Sequence, residues 1–251
     1  MSTSFRSTPP TRRLFGRTVL VALLAGTSSC VPEVRIPLPV PLPSVGGSRP
    51  ATPQGLHLAI EFGDGVWGQE QERVEMAGVG VGFSLRDRIE FSVFGYDATR
   101  RVQSQTSATT TGVRGKVRLA DFSGGRASVG LHVARMTSER AWSALQNERM
   151  TAWDLALPVT YYPFGEQFVD RRWGVYVAPR LVFQTFEDRL AIQTTEGTLA
   201  GGLLGVVARW RHFALGGELN FAKTPDMGGA FESGWIVLPM LSVRGMVPIG
   251  D

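Results

Sequence analysis

The chain has 251 residues, a formal net charge of +4 and a single cysteine. One cysteine excludes an intrachain disulfide and a zinc site built from cysteine pairs. No run reaches the ~18 apolar residues of a spanning helix, and the length suits one domain plus a targeting segment.

The excess charge belongs to the amino-terminal end. Residues 1–29 carry Arg6, Arg12, Arg13 and Arg17 and no acid, so removing them takes the net charge from +4 to 0. A neutral body lacks the basic footprint of a nucleic-acid binder. Arg12, Arg13 and Arg17 precede an apolar run from Thr18 to Gly26, and the small residues Thr27, Ser28 and Ser29 lead to Cys30. That order predicts a secretory signal peptide over 1–29. The cysteine placed just after the run resembles the lipobox of bacterial lipoproteins, which implies a lipid on Cys30. Thr27 stands where that family usually has leucine. The stretch from Thr11 to Arg17 also looks like a twin-arginine export motif, which implies transport of a folded protein. Residues 30–54 are rich in proline, and a lipidated, extended periplasmic linker is expected there.

From Gly55 onward the pattern has period two, which predicts half-buried strands. Val113, Gly115, Val117 and Leu119 alternate with Arg114, Lys116 and Arg118. Trp153, Leu155, Leu157, Val159 and Tyr161 alternate with Asp154, Ala156, Pro158 and Thr160. Ten such segments are expected: 55–64, 74–85, 88–97, 111–120, 126–137, 151–162, 173–184, 197–209, 212–222 and 234–246. The connections alternate between longer (65–73, 98–110, 138–150, 185–196, 223–233) and shorter (86–87, 121–125, 163–172, 210–211). An antiparallel up-and-down β-barrel of about ten strands (eight to ten) over residues 55–251 is the expected fold. Pro158, Pro179 and Pro239 sit awkwardly inside these segments, because each removes a ladder N–H. Segments 197–209 and 234–246 are apolar on both faces, which leaves their register open.

This arrangement resembles the outer-membrane β-barrel class, with its short periplasmic turns and long outer loops. The resemblance implies an outer-membrane location, contact with membrane lipid, and handling by barrel-assembly and lipoprotein-sorting machinery. It also implies aromatic girdles. Trp67, Tyr96, Trp153 and Trp235 fall near expected outer ends, and Tyr161, Tyr162, Phe164, Trp173 and Trp210 near periplasmic ends. The closing residues Pro248-Ile249-Gly250-Asp251 depart from the terminal aromatic usual in that class.

The non-apolar face mixes small residues with charges: Gly78, Gly80, Gly82, Gly130 and Ala134 beside Glu61, Glu90, Arg114, Lys116, Arg118, Asp154, Arg180 and Glu218. Only Lys116 and Lys223 are lysines, which is unlike a wet exterior, so this face is expected to line the lumen. Arg114, Lys116 and Arg118 could form an anion filter. They could equally close the lumen as a plug of ion pairs with Glu61, Glu90, Asp154 or Glu218, and a narrow barrel favours the plug.

No catalytic motif, cofactor site or metal-ligand spacing is present, and the expectation is a non-enzyme. The omptin proteases are ten-stranded barrels with a catalytic histidine at the outer rim, whereas His57, His132 and His212 all fall elsewhere. His132 and Ser128 share a face, but it is the lumen face. The acids Asp64, Glu70, Glu72 and Glu75 lack calcium-loop spacing and suit a solvated loop. The function expected is structural, adhesive or narrow transport. The alternative is a soluble periplasmic lipoprotein barrel, similar to a lipocalin, that binds a small hydrophobic ligand within an apolar interior.

Overall fold

Alternating β-branched and aromatic residues give an all-β chain whose ladders run between neighbours in sequence. The structure, a computed structural model, describes residues 42–50, 54–67, 72–101, 105–143, 146–163, 171–188, 193–210, 212–223 and 234–248. All lie in the compact unit Ile36–Asp251. The strands are β1 (Gly55–Trp67), β2 (Glu72–Leu85), β3 (Ile89–Arg101), β4 (Gln105–Phe122), β5 (Ala127–Ser143), β6 (Gln146–Ala156), β7 (Val159–Tyr161), β8 (Arg171–Asp188), β9 (Gln193–Trp210), β10 (Phe213–Lys223) and β11 (Trp235–Pro248).

Each strand pairs antiparallel with its neighbour, and β11 returns to pair with β1 along Gly55↔Pro248 to Trp67↔Ile236. β6 and the short extra strand β7 share one place in the ring, both lying between β5 and β8. The result is a closed barrel with ten strand positions. Closure leaves no edge to template aggregation.

Pro158 accounts for the break in the expected strand 151–162. It has no N–H to donate, and β6 stops at Ala156. The ladder is bridged on both sides: Leu157 N–H donates to the Pro179 carbonyl at 3.2 Å, and Gly130 N–H donates to the Pro158 carbonyl at 2.9 Å. Pro179 and Pro239 stay within β8 and β11, both exposed on the outward face.

The longer connections are shorter than expected. The described residues of 98–110, 138–150 and 185–196 all lie in strands. Their sequences are polar, so the apolar alternation fades there. The backbone ladder continues regardless, because its hydrogen bonds do not depend on side-chain character. At the opposite end, Arg86 and Asp87 turn with φ of 52° and 49° and link β2 to β3 in a tight hairpin.

The apolar face points outward. Leu58, Val79, Val81, Phe91, Val93, Leu119, Val177, Leu204, Val206 and Leu241 are exposed, while the glycine and charged face is buried. The open registers of β9 and β11 resolve the same way, with Leu199, Leu203, Ile236, Leu238 and Met240 inside. Leu199, Ile236, Leu238 and Met240 belong inside because they cluster with Met76, Met136, Met150 and Phe186 in the half of the lumen nearer the long hairpins, and Leu203 clusters with Tyr176 and Val207.

Two expected girdle residues turn inward instead. Tyr96 and Tyr162 are buried, whereas Trp153, Tyr161, Trp173 and Trp235 face outward as expected. Tyr96 lies on the same parity as Glu90, Ser92 and Phe94, so the alternation of β3 commits it to the lumen. Space for it comes from Gly78 on β2, where an added Cβ would overlap the Tyr96 ring. Gly78→Leu is therefore expected to overpack the lumen and cost ~1–3 kcal/mol. A lowered urea midpoint in detergent micelles checks it, and an unchanged midpoint refutes it.

Candidate functional site

The lumen concentrates the polar chemistry of the molecule. Strict alternation aims Glu61 from β1, Glu90 from β3, Arg114 and Lys116 from β4, Asp154 from β6, Arg180 from β8 and Glu218 from β10 into the interior, where all are buried. Arg118 sits lower on β4, partly exposed at the short-turn mouth. The charges pair within the lumen, some between neighbouring strands and some between strands further apart. Arg114 meets Glu61 at 2.9 Å, Arg180 meets Asp154 at 2.6 Å, Lys116 meets Glu90 at 4.0 Å and Arg118 meets Asp87 at 2.8 Å. Buried charges are tolerated when they are paired and hydrogen-bonded in this way. Arg114, Lys116 and Arg118 therefore form no free cationic ring.

Several members of the network escaped the reading of the sequence. Arg244 on β11 lies 3.7 Å from Glu61 and 3.4 Å from Glu90. It was missed because the apolar residues of its strand hid the period; counting by two from Ser242 would have found it. His57 lies 3.7 Å from Glu90, and His132, which the sequence places on the lumen face, lies 3.6 Å from Asp154. Tyr96 donates to Glu61, and Tyr176 donates to Glu218 at 2.6 Å.

The largest departure concerns the proline-rich segment. Residues 42–50, expected within an extended linker outside the barrel, are all buried inside it. At mid-height the Pro43 carbonyl accepts from Arg180 at 3.0 Å, and the Ser44 carbonyl from Arg114 at 3.1 Å. Ser44 N–H donates to Glu61 at 3.1 Å, and Gly46 N–H to Glu218 at 2.6 Å. Lower down, Ser48 Oγ lies 2.5 Å from Ser128 Oγ and donates to Thr160 at 2.8 Å. Arg49 reaches the short-turn mouth, where its guanidinium meets Asp87 at 3.4 Å and Asp121 at 3.2 Å. The chain thus runs down the axis from the middle of the lumen to the short-turn end, the end at which β1 begins.

This packing is stereochemically demanding. Gly46 and Gly47 have φ of 65° and 81°, a backbone region costly for any residue with a Cβ. On the facing wall a Cβ on Gly130 would come within 2.5 Å of the Ser48 carbonyl oxygen. Leu42 closes the upper end by joining the apolar cluster of Met76, Phe94, Met136 and Leu238, and Val45 packs with Tyr176, Leu203 and Val207.

Ser128 is engaged with Ser48 rather than His132, and His212 is exposed beside a short turn. Asp64 and Glu75 pair with Arg73 at 2.7 and 3.3 Å on the outer surface, and no metal-binding cluster occurs among the described residues. Cys30, Glu70 and Phe164 lie outside the described residues.

No family model matches the chain, and no curated protein matches it. Among solved structures it is similar to the translocator domain of autotransporter NalP from Neisseria meningitidis, at 11% identity and a TM-score of 0.38, covering 92% of this chain and 95% of that chain.

Proposed function

We propose that the protein is an outer-membrane β-barrel closed by its own amino-terminal segment, with a structural or adhesive role carried by its long hairpins. The observation behind this is the layout of the outer face. On β8 the exposed apolar stretch runs from Trp173 to Phe183, about the 9–11 residues of a tilted membrane strand. Towards the long hairpins it gives way to outward Asp64, Arg73, Asp97, Arg135, Glu139, Glu187 and Lys223. Towards the short turns it ends at Arg86, Arg88, Asp121, Arg126 and His212. An apolar belt between two polar rims, around a charged interior, is stable where the surrounding medium is lipid. Trp235 and Trp173 suit the two edges of that belt.

In this orientation the short turns face the periplasm and the paired polar hairpins stand out from the membrane as the surface open to partners. The filled lumen argues against solute transport. A lipocalin-like pocket would need the apolar face inside, which is the opposite of what the wall shows. A lipid on Cys30, following signal cleavage, belongs to the same reading and rests on the apolar run ahead of that residue. Labelling with a radioactive fatty acid should mark the wild type and not Cys30→Ser.

The deciding test is fractionation of cells followed by electrophoresis of boiled and unboiled samples. Extraction from the outer membrane only by detergent, together with a band that shifts on boiling, is the expected result. Release by a salt wash with no shift would overturn the membrane reading.

A further inference from the structure

We propose that the lumen is a binding site for a polypeptide segment, read mainly through its main chain, and that residues 42–50 are its resident occupant. The inference rests on lumen geometry and not on the membrane reading.

The wall is built to hold a backbone. Four carbonyls of the segment, those of Pro43, Ser44, Arg49 and Pro50, accept from Arg180 at 3.0 Å, Arg114 at 3.1 Å, Lys116 at 3.4 Å and Arg209. Three N–H groups, those of Ser44, Gly46 and Ser48, donate to Glu61 at 3.1 Å, Glu218 at 2.6 Å and Thr160 at 2.8 Å. Seven main-chain contacts fall within residues 43–50. The partners come from β1, β4, β7, β8, β9 and β10, on all sides of the barrel. Every buried N–H and carbonyl must be satisfied, and here the wall supplies those partners from its own side chains, so the lumen is pre-equipped to hold a main chain.

Contacts to the main chain suit any chain, so selectivity has to arise at particular positions. The Gly46 and Gly47 positions take φ of 65° and 81°, which restricts them to glycine. A Cβ at Gly46 would also come within 2.8 Å of the Arg244 guanidinium. Ser48 lies against Gly130 and places its hydroxyl between Ser128 and Thr160. Arg49 answers the acids Asp87 and Asp121 at the mouth. The ligand class is therefore a peptide of the order Ser-x-Gly-Gly-Ser-Arg, turned at its glycine pair, whether it comes from this chain or is supplied separately.

The test uses the full chain carrying Gly46→Val and Gly47→Val, which evicts the resident segment, with folding checked by the shift on boiling. A fluorescent synthetic peptide of residues 42–50 should bind this variant saturably and leave the wild type, whose site is filled, unlabelled. A peptide carrying the same two valines should bind at least about tenfold more weakly. No saturable binding to the folded variant, or equal binding of the two peptides, would overturn the proposal. Should the variant not fold, wild-type chain with a protease site inserted between Thr52 and Pro53 serves instead. After cutting, the amino-terminal fragment should stay with the barrel through gel filtration, and its immediate loss would equally overturn the proposal.

Discussion

Asp154→Ala is expected to lower the unfolding free energy by roughly 3–5 kcal/mol, the cost of leaving a buried partner charge unpaired. Asp154 is fully buried and accepts from Arg180 twice, from Nε at 2.9 Å and from Nη2 at 2.6 Å. A paired, two-pronged contact of this kind is the strongest geometry available to a guanidinium. Arg180 directs two further donors to Asn220 Oδ1 at 2.6 Å and to the Pro43 carbonyl at 3.0 Å. Removing the carboxylate therefore strands a cation that also positions the lumen segment. Asp154→Ala/Arg180→Met removes both charges and should recover most of the loss, because the cost belongs to the unpaired charge and not to the absence of a pair. Urea unfolding in lipid vesicles, followed by tryptophan fluorescence, measures both. A loss below about 1 kcal/mol for Asp154→Ala would mean that water reaches the guanidinium and that the lumen is not sealed at this height.

The second large effect concerns closure of the pore. Wild-type barrel in a planar bilayer is expected to pass no steady current, and Glu218→Ala to open it intermittently. One carboxylate oxygen of Glu218 accepts three bonds, from Ser44 Oγ at 2.8 Å, Gly46 N–H at 2.6 Å and Tyr176 Oη at 2.6 Å. Two of them hold the lumen segment. Hydrogen bonds to a charged group contribute ~1.5–3 kcal/mol each, so losing both removes ~3 kcal/mol or more of what retains the segment. That is on the order of a hundredfold in the fraction of time the lumen stands open. Glu218→Gln keeps an acceptor oxygen without the charge and should fall between the two. Lys116→Glu should leave no anion preference to alter, because Lys116 is committed to Glu90 and to the Arg49 carbonyl. A steady current through the wild type, or a Glu218→Ala barrel as silent as its parent, would remove lumen closure as the role of residues 42–50.

The order of strands, their parity and the inward direction of Glu61, Arg114, Asp154, Arg180 and Glu218 were legible in the sequence. Each follows from a period of two, which is a local property of an extended chain. The scarcity of lysine, with only Lys116 and Lys223 in the chain, pointed the glycine-rich face inward, since a wet surface would have carried more of it. Strand ends were less legible. The strand ends at 98–101, 105–110, 138–143, 146–150, 185–188 and 193–196 are rich in polar residues, and polar strands leave no apolar rhythm to read.

The inward turn of Tyr96 was concealed differently. Its girdle-like place near a strand end suggested the membrane edge, whereas its parity with Glu90 and the room left by Gly78 settle it inside. What lies in the lumen was settled by tertiary structure alone. Residues 42–50 have no period, and their proline and glycine content reads as a spacer. Their partners are far away in sequence, with Ser44 and Glu218 separated by 174 residues. A closed wall of ten strands encloses polar groups that cannot all satisfy one another across the axis. A backbone carries a donor and an acceptor at almost every residue, so the chain that enters the lumen is held by the charges that line it.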